Sequence, residues 1–123
     1  MFSLKTLGKS LSYAGRGIAF VAKTEHSFRV QITLAVLAVL LGLWLRIRAQ
    51  EMVVVLLVAT FVLVLELLNS AVEHMVDLFK PRLSHQVEVV KNAMAGAVLV
   101  AALCAAVVGL IIFVPYLQTA LRG

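Results

Sequence analysis

Charged residues are scarce in this sequence, and so are cysteine and proline. Of 123 residues, 14% are Asp, Glu, Lys or Arg, one is cysteine and two are proline. A single cysteine, Cys104, forms no intrachain disulfide, which excludes a disulfide scaffold. With 63% hydrophobic residues and a mean hydropathy of +1.06, the composition is also unlike that of an ordinary soluble domain. We expect one integral membrane domain over residues 1–123, built from helices.

Acids are the scarcer charge, and the basic residues give a formal net charge of +5. In a soluble protein this excess would favour a nucleic-acid partner. Here most Lys and Arg residues lie in the N-terminal segment and between the second and third apolar runs, where cytoplasmic loops are expected to be basic. We therefore expect no nucleic-acid partner, a cytoplasmic N-terminus and a C-terminus across the membrane.

Three apolar runs predict three membrane-spanning helices, over about residues 29–47, 51–79 and 85–115. The second run reaches spanning length only if its helix continues through a polar stretch. Proline disfavours helical geometry in the preceding residue and lacks a backbone donor. We therefore expect Pro81 to follow the end of the second helix and Pro115 to stop the third.

Two weaker patterns complete the predicted architecture. In residues 1–28, apolar side chains recur at helical spacing and basic ones lie on another flank, which predicts an amphipathic helix in the membrane surface. Ser84 is a suitable N-cap for the third spanning helix. That helix also carries small residues four apart, a pattern typical of a packing seam: Ala93, Ala97, Ala101, Ala105 and Gly109.

The second spanning helix carries an unusual polar face, made of Glu66, Asn69, Ser70, Glu73 and Asp77. Carboxylates inside a membrane are costly and commonly mark a functional site, although a polar seam joining helices is the alternative. Glu66 lies deeper than Glu73 by about 10 Å along the helix. The deeper acid suits a general base for a lipid hydroxyl, and the shallower one suits Mg²⁺ and phosphate.

Two other polar groups lie where the cytoplasmic surface is expected. Glu25 stands among Lys23, His26 and Arg29, where it could complete a metal site with Glu73 or form an ordinary interfacial charge pair. On the third spanning helix, Lys91 could hold a phosphate or serve as a basic anchor. The sequence has no phosphate-binding loop and no protein-kinase motif set, so a nucleotide site must be of another kind.

The polar face itself resembles a known family signature. The run Glu66-Leu67-Leu68-Asn69-Ser70-Ala71-Val72-Glu73, followed by Asp77, is similar to that of the bacterial diacylglycerol kinase family, which includes undecaprenol kinases. The resemblance covers nearly the whole chain, with further agreement at Arg16-Gly17, Lys23-Thr24-Glu25, Phe28-Arg29, Lys91 and Ala95-Gly96-Ala97.

The resemblance implies a homotrimer of three-span subunits in the bacterial inner membrane. Its expected reaction transfers the γ-phosphate of ATP, with Mg²⁺ as cofactor, to the hydroxyl of a membrane lipid. Diacylglycerol, giving phosphatidic acid, is the first expectation and undecaprenol the alternative.

Residue roles are also implied by the resemblance. Glu66 is expected to be the catalytic base and, with Ser70, to meet the lipid substrate. Glu25 and Glu73 are expected to hold the metal. Nucleotide and phosphate contacts are expected from Arg16, Asn69, Asp77, Lys91 and Asn92.

The sequence departs from the family pattern in two places. Asn92 follows Lys91 where the family usually has aspartate, and Arg82-Leu83-Ser84 replaces a usual Glu-Tyr-His. An amide cannot supply anionic charge. A catalytically impaired regulator or lipid-binding protein is therefore a second hypothesis, and a small transporter subunit with a proton-carrying glutamate is a third.

Overall fold

The computed structural model describes residues 3–78 and 85–123, which form four helices in an all-α arrangement. In chain order these are α1 (Leu4–Thr24), α2 (His26–Leu45), α3 (Ala49–Leu78) and α4 (His85–Arg122). The last three are long and apolar enough to cross a membrane, which confirms the three predicted spans. The predictions for Pro81 and Ser84, and the departure at residues 82–84, lie outside the described residues.

The N-terminal helix begins at a side-chain cap and is continuous. The Ser3 hydroxyl accepts a hydrogen bond from the Thr6 amide at 3.1 Å, so one free donor of the first turn is satisfied. At the other end, Arg29 of α2 donates to the carbonyls of Ala22 and Lys23, both at 2.9 Å. The arginine thereby caps α1 and fixes the sharp connection at Glu25, which is the N-cap residue of α2.

A tight hairpin joins α2 to α3 at the opposite end of the bundle. Arg46 ends α2 with a left-handed backbone (φ 56°). Gly42 is buried at this turn, and a Cβ there would lie 2.8 Å from the Met52 Cε and 3.0 Å from the Ile47 Cδ1. The missing side chain therefore lets the hairpin close tightly.

Helix α3 lies against both other spanning helices, and a small apolar core forms between them. Val55 of α3 packs with Ile112 and Phe113 of α4, and half-buried residues of α2 such as Ala38 and Leu41 surround this cluster. Many other large apolar residues are exposed on the outer surfaces of the three helices. Such a surface suits contact with lipid.

The small-residue stripe of α4 lies along two clefts. Ala93, Ala97 and Ala101 line a groove between α3 and α4, whereas Ala105 and Gly109 line a second cleft among α2, α3 and α4. Ala101 is buried, but Ala93 is exposed. The stripe thus provides close packing near its middle and opens into grooves on either side.

The prediction that Pro115 stops the last helix is wrong, because α4 continues through Pro115 to Arg122. Proline removes one backbone hydrogen bond, and membrane helices tolerate this when neighbouring groups satisfy the backbone. One turn later the Thr119 hydroxyl donates to the Pro115 carbonyl at 3.1 Å, whereas the carbonyl that loses its backbone donor is that of Ile111. The Tyr116 hydroxyl also donates to the Glu51 carboxylate in the first turn of α3, which holds the extension in place.

We expect Tyr116→Phe to lower the thermal midpoint of the purified protein by a few degrees while leaving its activity intact. The change removes the hydroxyl that links α4 to Glu51, so that carboxylate retains only its local contacts with Arg48, a hydrogen bond from the Arg48 amide at 3.2 Å and an ion pair at 3.7 Å. Thermal unfolding in detergent measures the effect. Tyr13→Phe is the matched control, because Tyr13 is exposed on α1 and its ring contact with Arg16 survives. Equal midpoints for the Tyr116 and Tyr13 variants would contradict a stabilising role for the Tyr116 hydroxyl.

Candidate active site

The site is centred on Glu66, a carboxylate buried within the helical bundle. Glu66 is only 5% exposed and lies on α3, one turn after the buried Val62. The Ser27 hydroxyl, from the first turn of α2, donates to the Glu66 Oε2 at 3.1 Å. A membrane helix therefore presents a buried acid that is already oriented by a neighbouring helix.

A second serine–carboxylate contact runs in the opposite direction between the same two helices. Ser70 lies one turn after Glu66 and is 2% exposed, and its hydroxyl donates to the Glu25 Oε1 at 3.5 Å. We call these two contacts, Ser27 to Glu66 and Ser70 to Glu25, the crossed serine–glutamate pairs. Together they bring the start of α2 against the polar face of α3.

Asn69 and Glu73 form the outer part of this polar face. The Asn69 Nδ2 donates to the Glu73 Oε1 at 3.2 Å, as their spacing of four residues on one helix predicts. The Asn69 Oδ1 is buried and has no hydrogen-bond partner among the described residues. A buried acceptor normally finds a donor or a cation, so this oxygen is available to one.

Helix α1 is anchored to the same region through His74. The His74 Nδ1 lies 2.8 Å from the Ser70 carbonyl, and the Phe20 ring meets the imidazole edge-on with centroids 5.2 Å apart. The imidazole thus links α1 to the turn of α3 that carries Ser70. This contact joins the N-terminal helix to the polar face of α3.

The other predicted site residues lie on α1, α3 and α4. Arg16 is exposed on α1, and its guanidinium lies 5.8 Å from the centre of the Tyr13 ring. Lys91 is half-buried and Asn92 exposed near the start of α4. Within residues 3–78 and 85–123, neither hydrogen-bonds to the buried acids. Asp77 is exposed one turn beyond Glu73 and has an interaction of its own.

The structure thus brings together Glu25, Glu66, Asn69, Ser70 and Glu73, and it adds two residues to the site that were not predicted. Ser27 contacts Glu66, and Arg29 fixes the connection that carries Glu25. The sequence indicates Arg29 as part of a possible charge pair and of the family resemblance, whereas in the structure it bonds to backbone carbonyls. The sequence signal for Ser27 is slight: a short hydroxyl side chain two residues after Glu25.

The donor set suits a magnesium ion better than a metal bound by protein alone. In the described part of the chain, no group of three or more His, Cys, Asp or Glu residues could hold a metal. Mg²⁺ commonly takes one or two carboxylates and completes its shell with water and phosphate oxygens. Glu25 and Glu73 provide two carboxylates, and the unpartnered Asn69 oxygen can accept from a metal-bound water. The types of donor present are therefore those that such an ion uses.

Fold and site together define a multi-pass helical membrane protein with a buried carboxylate. Its residues 12–113 match the family described as prokaryotic diacylglycerol kinase. The chain belongs to this family and is a lipid kinase.

Two relatives place the chain within the family. An undecaprenol kinase of Bacillus subtilis is 37% identical over 109 residues, which are 89% of this chain and 89% of the relative. A diacylglycerol kinase of Synechocystis is 34% identical over 107 residues, which are 86% of this chain and 61% of that longer relative. The expected family is confirmed, and the two relatives carry different lipid names.

Proposed function

We propose that this protein transfers the γ-phosphate of ATP to the hydroxyl of a membrane lipid alcohol, with Glu66 as general base. The observation that carries the proposal is the burial of Glu66 at 5% exposure, with one carboxylate oxygen held by Ser27. A base in this position meets an alcohol at membrane depth and is shielded from bulk water. It also lies on the same face of α3 as Asn69 and Glu73, two of the residues suited to Mg²⁺.

In the proposed reaction, the lipid hydroxyl loses its proton to a Glu66 oxygen while its own oxygen attacks the γ-phosphorus. A new oxygen–phosphorus bond forms, and the bond between that phosphorus and the bridging oxygen of ATP breaks, which releases ADP. Positioning and charge stabilisation account for most of the catalysis in such transfers. Glu66 therefore needs correct placement more than an unusual chemical environment.

Magnesium would be held by Glu25 and Glu73, with Asn69 binding one of its waters. The ion supplies positive charge that neutralises the phosphate oxygens. Lys91 and Arg16 offer cations for phosphate, while Asp77 and Asn92 offer polar contacts for the nucleotide. Ser70 positions Glu25 and lies beside the path of the lipid headgroup. With these roles, we propose that ATP binds at the cytoplasmic face of the inner membrane and that the N-terminus lies on the same side.

We further propose a homotrimeric assembly with α1 in the membrane surface. The exposed apolar side chains of α1 and its basic flank suit the lipid headgroup region, and the grooves beside α4 offer surfaces for neighbouring helices. Cross-linking in native membranes tests the assembly. A ladder that ends at three subunits supports a trimer, and one that ends at two contradicts it.

Undecaprenol is the lipid substrate that we favour. The relative named undecaprenol kinase matches this chain over 89% of both lengths, whereas the relative named diacylglycerol kinase has a substantial part that this chain does not match. Diacylglycerol is the second candidate, because the matching family model and the second relative both carry its name.

A direct comparison of the two lipids tests this choice. Purified protein is given ATP and Mg²⁺ with undecaprenol or diacylglycerol at equal mole fractions in the same mixed micelles. We expect kcat/KM to be at least about tenfold higher for undecaprenol, a difference of about 1.4 kcal/mol in transition-state stabilisation. A preference for diacylglycerol would reverse the assignment of substrate but leave the lipid kinase activity in place.

Asn92→Asp is expected to increase the apparent affinity for Mg·ATP several-fold. Asn92 is exposed near the start of α4 and adjacent to Lys91. An aspartate at this position therefore adds an anionic ligand at the proposed nucleotide site. The measurement is the KM for Mg·ATP at saturating lipid.

The matched control is Gln86→Glu, which adds the same charge to the exposed first turn of α4. An equal change in KM from both substitutions would indicate a general charge effect. A native protein without transferase activity that Asn92→Asp rescues would instead support the impaired-regulator hypothesis. An unchanged KM in the Asn92 variant would place position 92 outside the nucleotide site.

A further inference from the structure

We propose that Ser27 is a positioning residue that holds the Glu66 carboxylate in the orientation needed to accept the lipid proton. This inference rests on the proposed function of Glu66 as base. Its basis is the hydrogen bond from the Ser27 hydroxyl to the Glu66 Oε2 at 3.1 Å, across two helices and 39 residues of sequence. Ser27 acts through Glu66 and does not itself react.

The contact leaves one oxygen of the carboxylate available. Ser27 occupies Oε2, and among the described residues no hydrogen-bond donor occupies Oε1. A glutamate side chain has three rotatable bonds, so an untethered carboxylate would sample several orientations. The bond to Ser27 restricts this sampling and presents Oε1 to the incoming hydroxyl.

The hydroxyl of Ser27 is directed at Glu66 although a local partner is the usual choice for this residue type. Ser and Thr in helices often donate to the carbonyl four residues earlier, as Thr24 does to Phe20 and Thr33 to Arg29 in this protein. Ser27 has no such acceptor within its own helix, because it is the second residue of α2 and the chain is extended at Glu25, between α1 and α2. Its hydroxyl donates instead to the buried acid.

The turn that carries Ser27 is itself held rigidly from several sides. Glu25, two residues earlier, accepts from Ser70, and Phe28, one residue later, is only 3% exposed. Because the crossed serine–glutamate pairs share this turn, one short segment places both the proposed base and a proposed metal ligand. Because this segment is already ordered, the Ser27 side chain can hold the Glu66 carboxylate in place with little further loss of conformational entropy.

Matched substitutions separate the hydroxyl from the shape of the side chain. Ser27→Thr keeps a donor, and Ser27→Val has nearly the same shape as threonine without one. We expect the threonine variant to retain kcat within a few-fold. We expect the valine variant to lose about 10- to 100-fold in kcat, with little change in the KM for lipid or ATP, because binding is intact while the base is misplaced.

The closing experiment repeats Ser27→Val in a Glu66→Gln background and measures kcat by transfer of labelled phosphate. Once the base is gone its orientation no longer matters, so the valine substitution should cause no further loss. An equal loss in both backgrounds would overturn the proposal, since Ser27 would then act independently of Glu66. Normal kcat in the Ser27→Val protein would overturn it as well.

The same set of variants distinguishes failure of this inference from failure of the proposed function. If Glu66→Gln alone retains normal turnover, the assignment of Glu66 as base is lost. If Glu66→Gln is inactive and Ser27→Val is normal, only the role of Ser27 is lost. Ser27→Ala provides a smaller replacement should valine prevent folding, and it is expected to show the same fall in kcat with unchanged KM values.

Discussion

Glu66→Gln is expected to reduce kcat by about 10²- to 10⁴-fold, the usual contribution of a general base. Glutamine has nearly the shape of glutamate, and its amide oxygen can still accept from Ser27, so the part-buried contact at 3.1 Å can be retained. What the substitution removes is the ability to take a proton from the lipid hydroxyl. Initial rates of lipid phosphorylation at saturating ATP and lipid measure the loss.

Glu51→Gln is the matched control for this variant. It makes the same chemical change on the same helix, but Glu51 lies in the first turn of α3, at the end remote from Glu66, and contacts Tyr116 and Arg48. We expect its kcat to equal that of the native protein. Near-native turnover by a correctly folded Glu66→Gln protein would remove Glu66 from the reaction, whereas equal losses in both variants would indicate a structural effect.

Glu73→Gln and Glu25→Gln are each expected to raise the concentration of free Mg²⁺ needed for half-maximal activity by at least about tenfold. Each removes one anionic oxygen from a shared ion that prefers carboxylates. Each also keeps its local contact, because a glutamine oxygen can accept from Asn69 at position 73 or from Ser70 at position 25. The measurement is a titration with free Mg²⁺ at constant, saturating ATP.

The dependence of activity on free Mg²⁺ should distinguish Glu25 and Glu73 from other acidic residues of the chain. Glu51→Gln again serves as the control and should titrate like the native protein. At high Mg²⁺ the activity of the Glu73 and Glu25 variants should recover in large part, which Glu66→Gln should not do. If both variants keep the native dependence on Mg²⁺, the two acids have only structural roles, and the crossed serine–glutamate pairs would serve mainly to join α2 to α3.

The spanning helices could be predicted because long apolar runs have few alternatives in a bilayer. The end of α4 could not be predicted in this way. The effect of Pro115 depends on what surrounds it, and the contact from Tyr116 to Glu51 joins residues 65 positions apart in the sequence. A local rule for proline does not include such a contact. Glycine has a low helical propensity, yet α1 is continuous through its three glycines. Its continuity likewise depends on more than local propensity.

Contacts within one helix were also predictable, whereas contacts between helices were not. Asn69 and Glu73 are four residues apart on α3, so their hydrogen bond follows from helical geometry. The pairing of Ser27 with Glu66 depends on the register in which α2 packs against α3. The spacing of residues within either helix does not specify that register. The sequence therefore indicated the acids of the site but missed the serine that orients one of them.

The most direct test of the central claim follows the phosphate itself. Purified protein in mixed micelles with undecaprenol, or in parallel with diacylglycerol, is incubated with Mg²⁺ and ATP labelled at either the γ- or the α-phosphate, and the lipid is extracted and counted. We predict that label enters the lipid from γ-labelled ATP only, and that the Glu66→Gln protein transfers at most about a hundredth as much at equal time. Absence of lipid label from γ-labelled ATP with both alcohols, or equal labelling by the Glu66→Gln protein, would contradict the account.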